Sequence, residues 1–249
     1  MEKYYIDSIP TILDIRYADK PLIILIHGLG GRKEHSVKFF KFFNGYNLAA
    51  FDARFHGERK RGSIIEVLKQ DPRAIREIII GSSEDLSKII DYVLEKYRVN
   101  DIGVVGTSMG GLITFKSISI DKRISVAASL ISGSISCILK SKSIILKEIE
   151  HRRYLLKMFL RRYLDLIREI DVIYFADQCK PTPILLTGGE GDNIIPIECT
   201  IAAYEALRKA YGADSNRIKF VKYRGVGHRI TRDMLMETLD WLNRFLNVK

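Results

Sequence analysis

Ile102-Gly103-Val104-Val105-Gly106-Thr107-Ser108-Met109-Gly110-Gly111 is the stretch on which the reading of this chain turns. Its first four residues are apolar and mostly β-branched, a short run that reads as a strand buried on both faces. Residues 109–119 then carry a helical pattern. Strand, sharp turn and helix meet at Ser108, the context that presents a nucleophile at the carboxyl end of a strand. A side chain on such a turn projects into the crevice above the sheet. The turn also strains the backbone at Ser108, so the residues two positions away must be small, and Gly106 and Gly110 are. The helix that starts here points its positive end at the same spot. Taken alone, the segment also fits a glycine-rich turn with an incidental serine.

Outward from this segment the chain alternates. Residues 22–26 and 47–51 read as buried strands like 102–105, as do 126–131, 184–186 and 218–221, while 11–17 alternates apolar and polar residues like a half-buried strand. Helical patterns lie between them at about 34–43, 83–97, 109–119, 197–211 and 230–247. Alternation at this spacing predicts an α/β fold, a mostly parallel central sheet with helices on both faces. One stretch breaks the rhythm. About 50 residues separate the strand at 126–131 from that at 184–186, where a parallel crossover needs only a dozen or more. The surplus, helix-like over 144–170, predicts an inserted helical element, suited to a lid or to an oligomer contact.

A nucleophilic serine needs a base, and the base needs an orienting acid. Of the five histidines, His27, His35, His56, His151 and His228, only the last two follow Ser108. His151 sits in Glu150-His151-Arg152-Arg153 and reads as a solvated helix face. His228 ends Gly225-Val226-Gly227-His228, a loop after the strand at 218–221 that can reach the carboxyl edge of the sheet. The acid is expected at a strand end between the two. Ile184-Leu185-Leu186-Thr187-Gly188-Gly189-Glu190-Gly191-Asp192-Asn193-Ile194-Ile195-Pro196 supplies it, with Asp192 favoured, Glu190 the competing carboxylate, and capping of the next helix a second use for Asp192. An oxyanion hole is expected from His27-Gly28-Leu29-Gly30-Gly31 and the turn itself, with the backbone N–H groups of Leu29 and Met109 as donors. HGLGG lacks the lysine–hydroxyl pair of a phosphate loop and the third glycine of a dinucleotide loop. His27 reads as a hydrogen-bonding support for this loop.

Composition excludes several classes. The 249 residues are 47% hydrophobic and 28% charged, a globular balance. Apolar runs stay far short of the roughly 20 residues of a membrane helix. The first ten residues, MEKYYIDSIP, have no apolar signal core, which leads to a cytoplasmic expectation. Three widely spaced cysteines, Cys137, Cys179 and Cys199, indicate neither a disulfide framework nor a zinc site. The net charge of +10 raises the class of nucleic-acid or anionic-surface binders. Its basic residues are dispersed among acids, however, and no basic helix with stacking aromatics appears. Only Gln70 and Gln178 represent glutamine, and charges abound, a compositional trend of thermophiles.

HGLGG, GTSMGG, GxxDxxIP and GH, in that order, resemble the α/β-hydrolase superfamily from about Leu22 to the end of the sequence. Phe51-Asp52-Ala53-Arg54-Phe55-His56-Gly57-Glu58-Arg59 is similar to a loop of small bacterial and archaeal esterases, related to dienelactone hydrolases and to the catalytic domains of prolyl-oligopeptidase-type peptidases. The resemblance implies an α/β-hydrolase domain over 1–249 with a helical, lid-like insertion at about 135–178, before the strand that bears the acid. It implies a serine carboxylesterase for short- to medium-chain esters, with Ser108 as nucleophile, Asp192 as acid and His228 as base. Dienelactone hydrolases proper use cysteine where this chain has Ser108, and 249 residues leave no room for the propeller of oligopeptidases. The same three residues would serve a peptidase of the acylaminoacyl or dipeptidyl type, or a thioesterase. Substrate-pocket candidates are His56 and, in the insertion, Met158, Phe159 and Tyr163. The expected chemistry needs no metal or organic cofactor. The expected partner is a small-molecule ester, without nucleic acid or membrane, on a monomer or homodimer.

Overall fold

The computed structural model describes residues 1–71, 73–141 and 164–246. Among them, β1 (Glu2–Ile6), β2 (Ile9–Asp14), β3 (Leu22–Ile26), β4 (Asn47–Phe51), β5 (Ile102–Thr107), β6 (Ile124–Leu130), β7 (Ile184–Gly189) and β8 (Ile218–Tyr223) form one sheet. Its order is β1-β2-β4-β3-β5-β6-β7-β8. The pairs β1–β2 and β2–β4 are antiparallel, and the rest are parallel. The helices are α1 (Lys33–Val37), α2 (Ile64–Gln70), α3 (Ala74–Arg76), α4 (Ser82–Lys96), α5 (Met109–Ile120), α6 (Ile135–Lys140), α7 (Leu164–Ile170), α8 (Ile197–Tyr211) and α9 (Arg232–Phe245). No helix among the described residues is long and apolar enough to cross a membrane.

The continuous apolar run of β3 follows from its place at the centre. Leu22, Ile24 and Ile26 enter the core beneath α4 and α5, while Ile23 and Leu25 enter the opposite core with Phe43, Trp241 and Leu242. Each such buried side chain contributes about 1.5–3 kcal/mol relative to exposure. The chain steps from β3 to β4 on one side and then to β5 on the other. Strand order therefore reverses at β3 and β5, and the crevice above such a switch point is where open α/β sheets bind ligands. HGLGG leaves the end of β3 and Ser108 the end of β5, so both motifs face that crevice.

The short helices α2 and α3 were not read from the sequence, and three further features depart from it. β1 was not foreseen, because Glu2-Lys3-Tyr4-Tyr5-Ile6 lacks a clear alternation. It forms through the two-residue turn Asp7-Ser8, both with positive φ (46° and 66°), a geometry matched to hairpin twist. β2 was expected half-buried over 11–17, yet all six residues of Ile9–Asp14 are buried. Thr11 meets that burial by donating its hydroxyl hydrogen to the Ile9 carbonyl at 3.0 Å. The cysteines were expected unpaired, but Cys137 of α6 and Cys199 of α8 form a disulfide, while Cys179 is free and buried. The two partners stand 62 positions apart, and only the docking of α6 on α8 brings them together.

The ends of the inserted segment are tied to each other. Asp171, fully buried after α7, accepts the Ser134 hydroxyl at 2.9 Å and the Ser136 N–H at 2.7 Å, at the start of α6. Residues 142–163, and with them Met158, Phe159 and Tyr163, lie outside the described residues.

Candidate active site

Ser108 has φ 54° and ψ −116°, a strained conformation for a residue with a Cβ. Its surroundings hold it there. The Ser108 N–H donates to the Leu130 carbonyl at 2.8 Å, and the Gly111 N–H to the Ser108 carbonyl at 2.8 Å. A Cβ at Gly106 would overlap the Gly110 carbonyl, and one at Gly110 would overlap the Ile26 carbonyl. Glycine at both positions thus lets β5, α5 and the end of β3 close around the turn.

The loop after β8 brings His228 to this turn. His228 Nε2 lies 2.9 Å from Ser108 Oγ, and Nδ1 lies 2.7 Å from Asp192 Oδ2. The Asp192 side chain is 1% exposed and that of His228 19% exposed. Asp192 is pinned through its other oxygen, which accepts the N–H groups of Ile194 and Ile195 at 2.8 Å each. It does not cap α8, which starts after Pro196 without a side-chain cap. Its own loop is braced against that of His228, since the Gly191 N–H donates to the Val226 carbonyl at 2.9 Å. The competing Glu190 points away and pairs with Lys222 at 3.0 Å.

The loop after β3 turns tightly at Leu29–Gly30, with the Gly31 N–H donating to the Gly28 carbonyl at 3.0 Å and Gly30 at φ +70°. Positive φ at this third residue is the reason a glycine sits there. Gly28 stands against the nucleophile: a Cβ on it would lie 3.4 Å from Ser108 Cβ and 4.0 Å from Oγ. Among the described residues, the N–H groups of Leu29 and Met109 donate to no backbone carbonyl.

His27 holds this loop. Its Nδ1 lies 2.8 Å from the Gly28 carbonyl, and its Nε2 accepts the Ala53 N–H at 3.2 Å. Both contacts are met together only by the neutral ring with its proton on Nδ1. Burial pushes the His27 pKa down from 6.5 to about 4. The unfolded chain takes up this proton near 6.5 and the folded chain only near 4. Stability is therefore complete above the unfolded value and falls as pH drops from 6.5 towards 4, by on the order of 3 kcal/mol. Burial shifts His56 in the same direction. Urea midpoints measured from pH 7.5 to 4 are expected to fall in this window, and His27→Gln to flatten the fall. An equal slope in that variant would place the loss elsewhere.

His56 lies beneath the loop, 2% exposed, with its ring 5.3 Å from that of His27 and Nδ1 2.8 Å from the Arg54 carbonyl. Charge pairs knit its segment together. Arg54 grips Asp85 through two contacts of 3.1 Å, and Arg59 meets the same carboxylate at 2.7 Å. A support that the sequence reading missed is Lys33, whose side chain is 1% exposed beside Asp52 and Glu58. A lysine one residue past HGLGGR reads as solvent-facing, and only the pairing across the fold reveals it as buried. A cleft of about 520 Å³ opens beside the loop between Gly30, Arg32, His35, Glu58 and Lys60. Its lining is charged, so an aliphatic acyl chain gains nothing by entering it.

A hydroxyl bonded to an imidazole, itself oriented by a buried carboxylate, can lose its proton as it attacks an electrophilic carbon. The chain also resembles known proteins. A sequence profile of the prolyl oligopeptidase family matches residues 80–249, and one of the alpha/beta hydrolase fold matches residues 21–117. The Bacillus subtilis (strain 168) protein YitV, provisionally named an esterase, is 25% identical over 239 residues, 93% of this chain and 91% of its own length. The crystallised Pyrococcus furiosus esterase Pf2001 shares the fold with a TM-score of 0.70 at 19% identity, over 98% of this chain and 92% of that one. A puromycin-hydrolyzing peptidase of Mycobacterium tuberculosis gives a TM-score of 0.77 at 14% identity, over 100% of this chain but 39% of that chain.

Proposed function

Because this chain belongs to the prolyl oligopeptidase family, within the α/β-hydrolase fold, we propose that it is a serine carboxylesterase acting on short- to medium-chain esters. The observation that carries the reading is the relay from Ser108 Oγ through His228 to Asp192, at 2.9 and 2.7 Å. His228 takes the Ser108 proton as Oγ attacks the ester carbonyl. The N–H groups of Leu29 and Met109 receive the charge that develops on the carbonyl oxygen, each worth about 10²–10³ in rate. Asp192 keeps the imidazole proton on Nδ1 and stabilises the cation formed during attack. His228 then protonates the leaving alkoxide, and water, activated by the same ring, releases the acid from Ser108.

Esters are favoured over peptides by the state of Glu58. A peptidase of the dipeptidyl type needs a free carboxylate to hold the ammonium of an unblocked amino terminus. Glu58, the acid beside the oxyanion loop, is already engaged by Lys33 and by the Tyr5 hydroxyl at 2.6 Å. The names of YitV and Pf2001 agree with an esterase. The test is turnover of p-nitrophenyl esters from acetate to decanoate beside peptide arylamides. Higher kcat/KM on the esters is expected, with an optimum at short or medium chain length. Arylamide turnover equal to or faster than ester turnover would make the chain a peptidase instead.

A further inference from the structure

The five-residue turn that carries the Leu29 N–H is clamped at both ends to one neighbouring segment, the loop that follows β4. At its start, His27 accepts the Ala53 N–H. At its end stands Asp52, fully buried, which grips Lys33 twice: Oδ1 accepts the Lys33 N–H at 2.8 Å and Oδ2 the Nζ at 2.9 Å. The second oxygen also accepts the Glu58 N–H at 3.0 Å. The loop is shaped around this carboxylate, because Gly57 has φ +54° and a Cβ there would overlap it. Lys33 Nζ contacts Glu58 and lies 3.4 Å from Glu34 as well. Burial opposes the charge on this ammonium, but its hydrogen bonds to Glu58 and Asp52 prevail and hold its pKa above the usual range.

A buried ion pair is a poor source of net stability, since desolvation offsets much of its attraction. What it supplies, and an apolar pair does not, is direction. Two bonds from one carboxylate to the backbone and the side chain of a single residue fix that residue's orientation. Residue 33 is where the oxyanion loop passes into α1.

We propose that Asp52, acting through the buried Lys33, is the positioning residue of the oxyanion loop and sets the Leu29 N–H against the oxygen that Ser108 chemistry charges. The proposal rests on the serine-hydrolase reading of Ser108 and goes beyond it in assigning a role to a pair outside the relay. Displacing a catalytic donor by about 1 Å can cost about 10²-fold in rate.

The test compares wild type, Asp52→Asn, Lys33→Met and the double variant, with thermal unfolding recorded for each. A fluorophosphonate probe is the first reagent. Ser108 Oγ attacks phosphorus, the P–O bond forms, the P–F bond breaks, fluoride leaves and His228 takes the proton. The labelled fraction counts competent sites, and the labelling rate reports how well the phosphoryl oxygen is received. Hydrolysis of p-nitrophenyl acetate is measured per labelled site. Each single variant is expected to lose about 10²-fold in labelling rate and in kcat per site, with KM little changed, and the double variant to lose no more than either single one. Labelling and kcat per site that match wild type, whatever the loss in stability or in competent fraction, would show the pair to be structural and overturn the proposal. Esters left intact by a wild type that labels at Ser108 would defeat the esterase reading alone, since the labelling rates of the variants still decide the role of Asp52.

Discussion

Replacing Ser108 with alanine is expected to lower kcat for ester hydrolysis by on the order of 10⁶-fold, the scale on which hydrolases lose activity with their nucleophile. The thermal midpoint is expected to stay near that of wild type. Alanine carries a Cβ as serine does, so the strain at φ 54° is the same in both. The hydroxyl removed is half-buried and has one side-chain hydrogen bond, to His228 Nε2. The backbone bonds that shape the turn, from the Ser108 N–H to Leu130 and from the Gly111 N–H to Ser108, are untouched. His228→Ala should cost a similar factor, and the double variant little more, because the residues act as one unit. Asp192→Asn is expected to lose about 10⁴-fold by favouring the wrong tautomer of the ring. These rates are read from p-nitrophenyl acetate hydrolysis beside mass-spectrometric mapping of the labelled serine. Turnover surviving in a folded Ser108→Ala variant would remove the serine from the mechanism.

Reducing the Cys137–Cys199 disulfide is expected to produce the largest loss of stability. The bond closes a loop of 62 positions. Chain-entropy arguments assign such a loop about 4 kcal/mol, which for a chain of this size corresponds to a fall of roughly 10–15 °C in Tm. Cys137→Ser is the informative variant, because Cys137 is half-buried while Cys199 is fully buried and a hydroxyl there would add its own cost. The surrounding contacts remain: the Ser134 N–H still donates to the Cys199 carbonyl at 2.9 Å, and the Thr200 hydroxyl to the Ser132 carbonyl at 2.7 Å. Calorimetry with and without a thiol reductant gives the test. Wild type under reducing conditions should melt with Cys137→Ser, and that variant should not respond to the reductant. A wild-type Tm indifferent to reduction would mean that the two thiols stay separate in solution. The bond also joins the root of the inserted segment to the helix that follows the Asp192 loop, so reduction is expected to lower kcat at temperatures near the reduced Tm.

Local patterns made the sheet legible before any coordinates. Residues 22–26, 47–51 and 102–105 announce strands because a strand buried on both faces must be apolar at every position, and all three strands are found there. The same holds for Ser108, since the need for small residues around a strained turn is written as Gly106 and Gly110. The edge strand β1 escaped because an exposed hairpin places no such demand on its side chains. The inserted segment was visible as surplus length with a helix-like pattern over 144–170, which does not say what it covers.

The sequence by itself determined the order of the parallel strands and of the longer helices between them, the place of a strained serine at a strand end, and the candidates His228 and Asp192 on later loops. Each depends on neighbours within a few positions, where sterics and burial leave a periodic trace. Only the tertiary structure decided which distant groups meet. Asp192 faces His228 while Glu190 turns to Lys222. Lys33 is drawn inside to Asp52, and Cys137 reaches Cys199. Such pairings depend on how the helices and loops dock on the sheet, and a pairwise contact across tens of residues leaves no period in the chain to read.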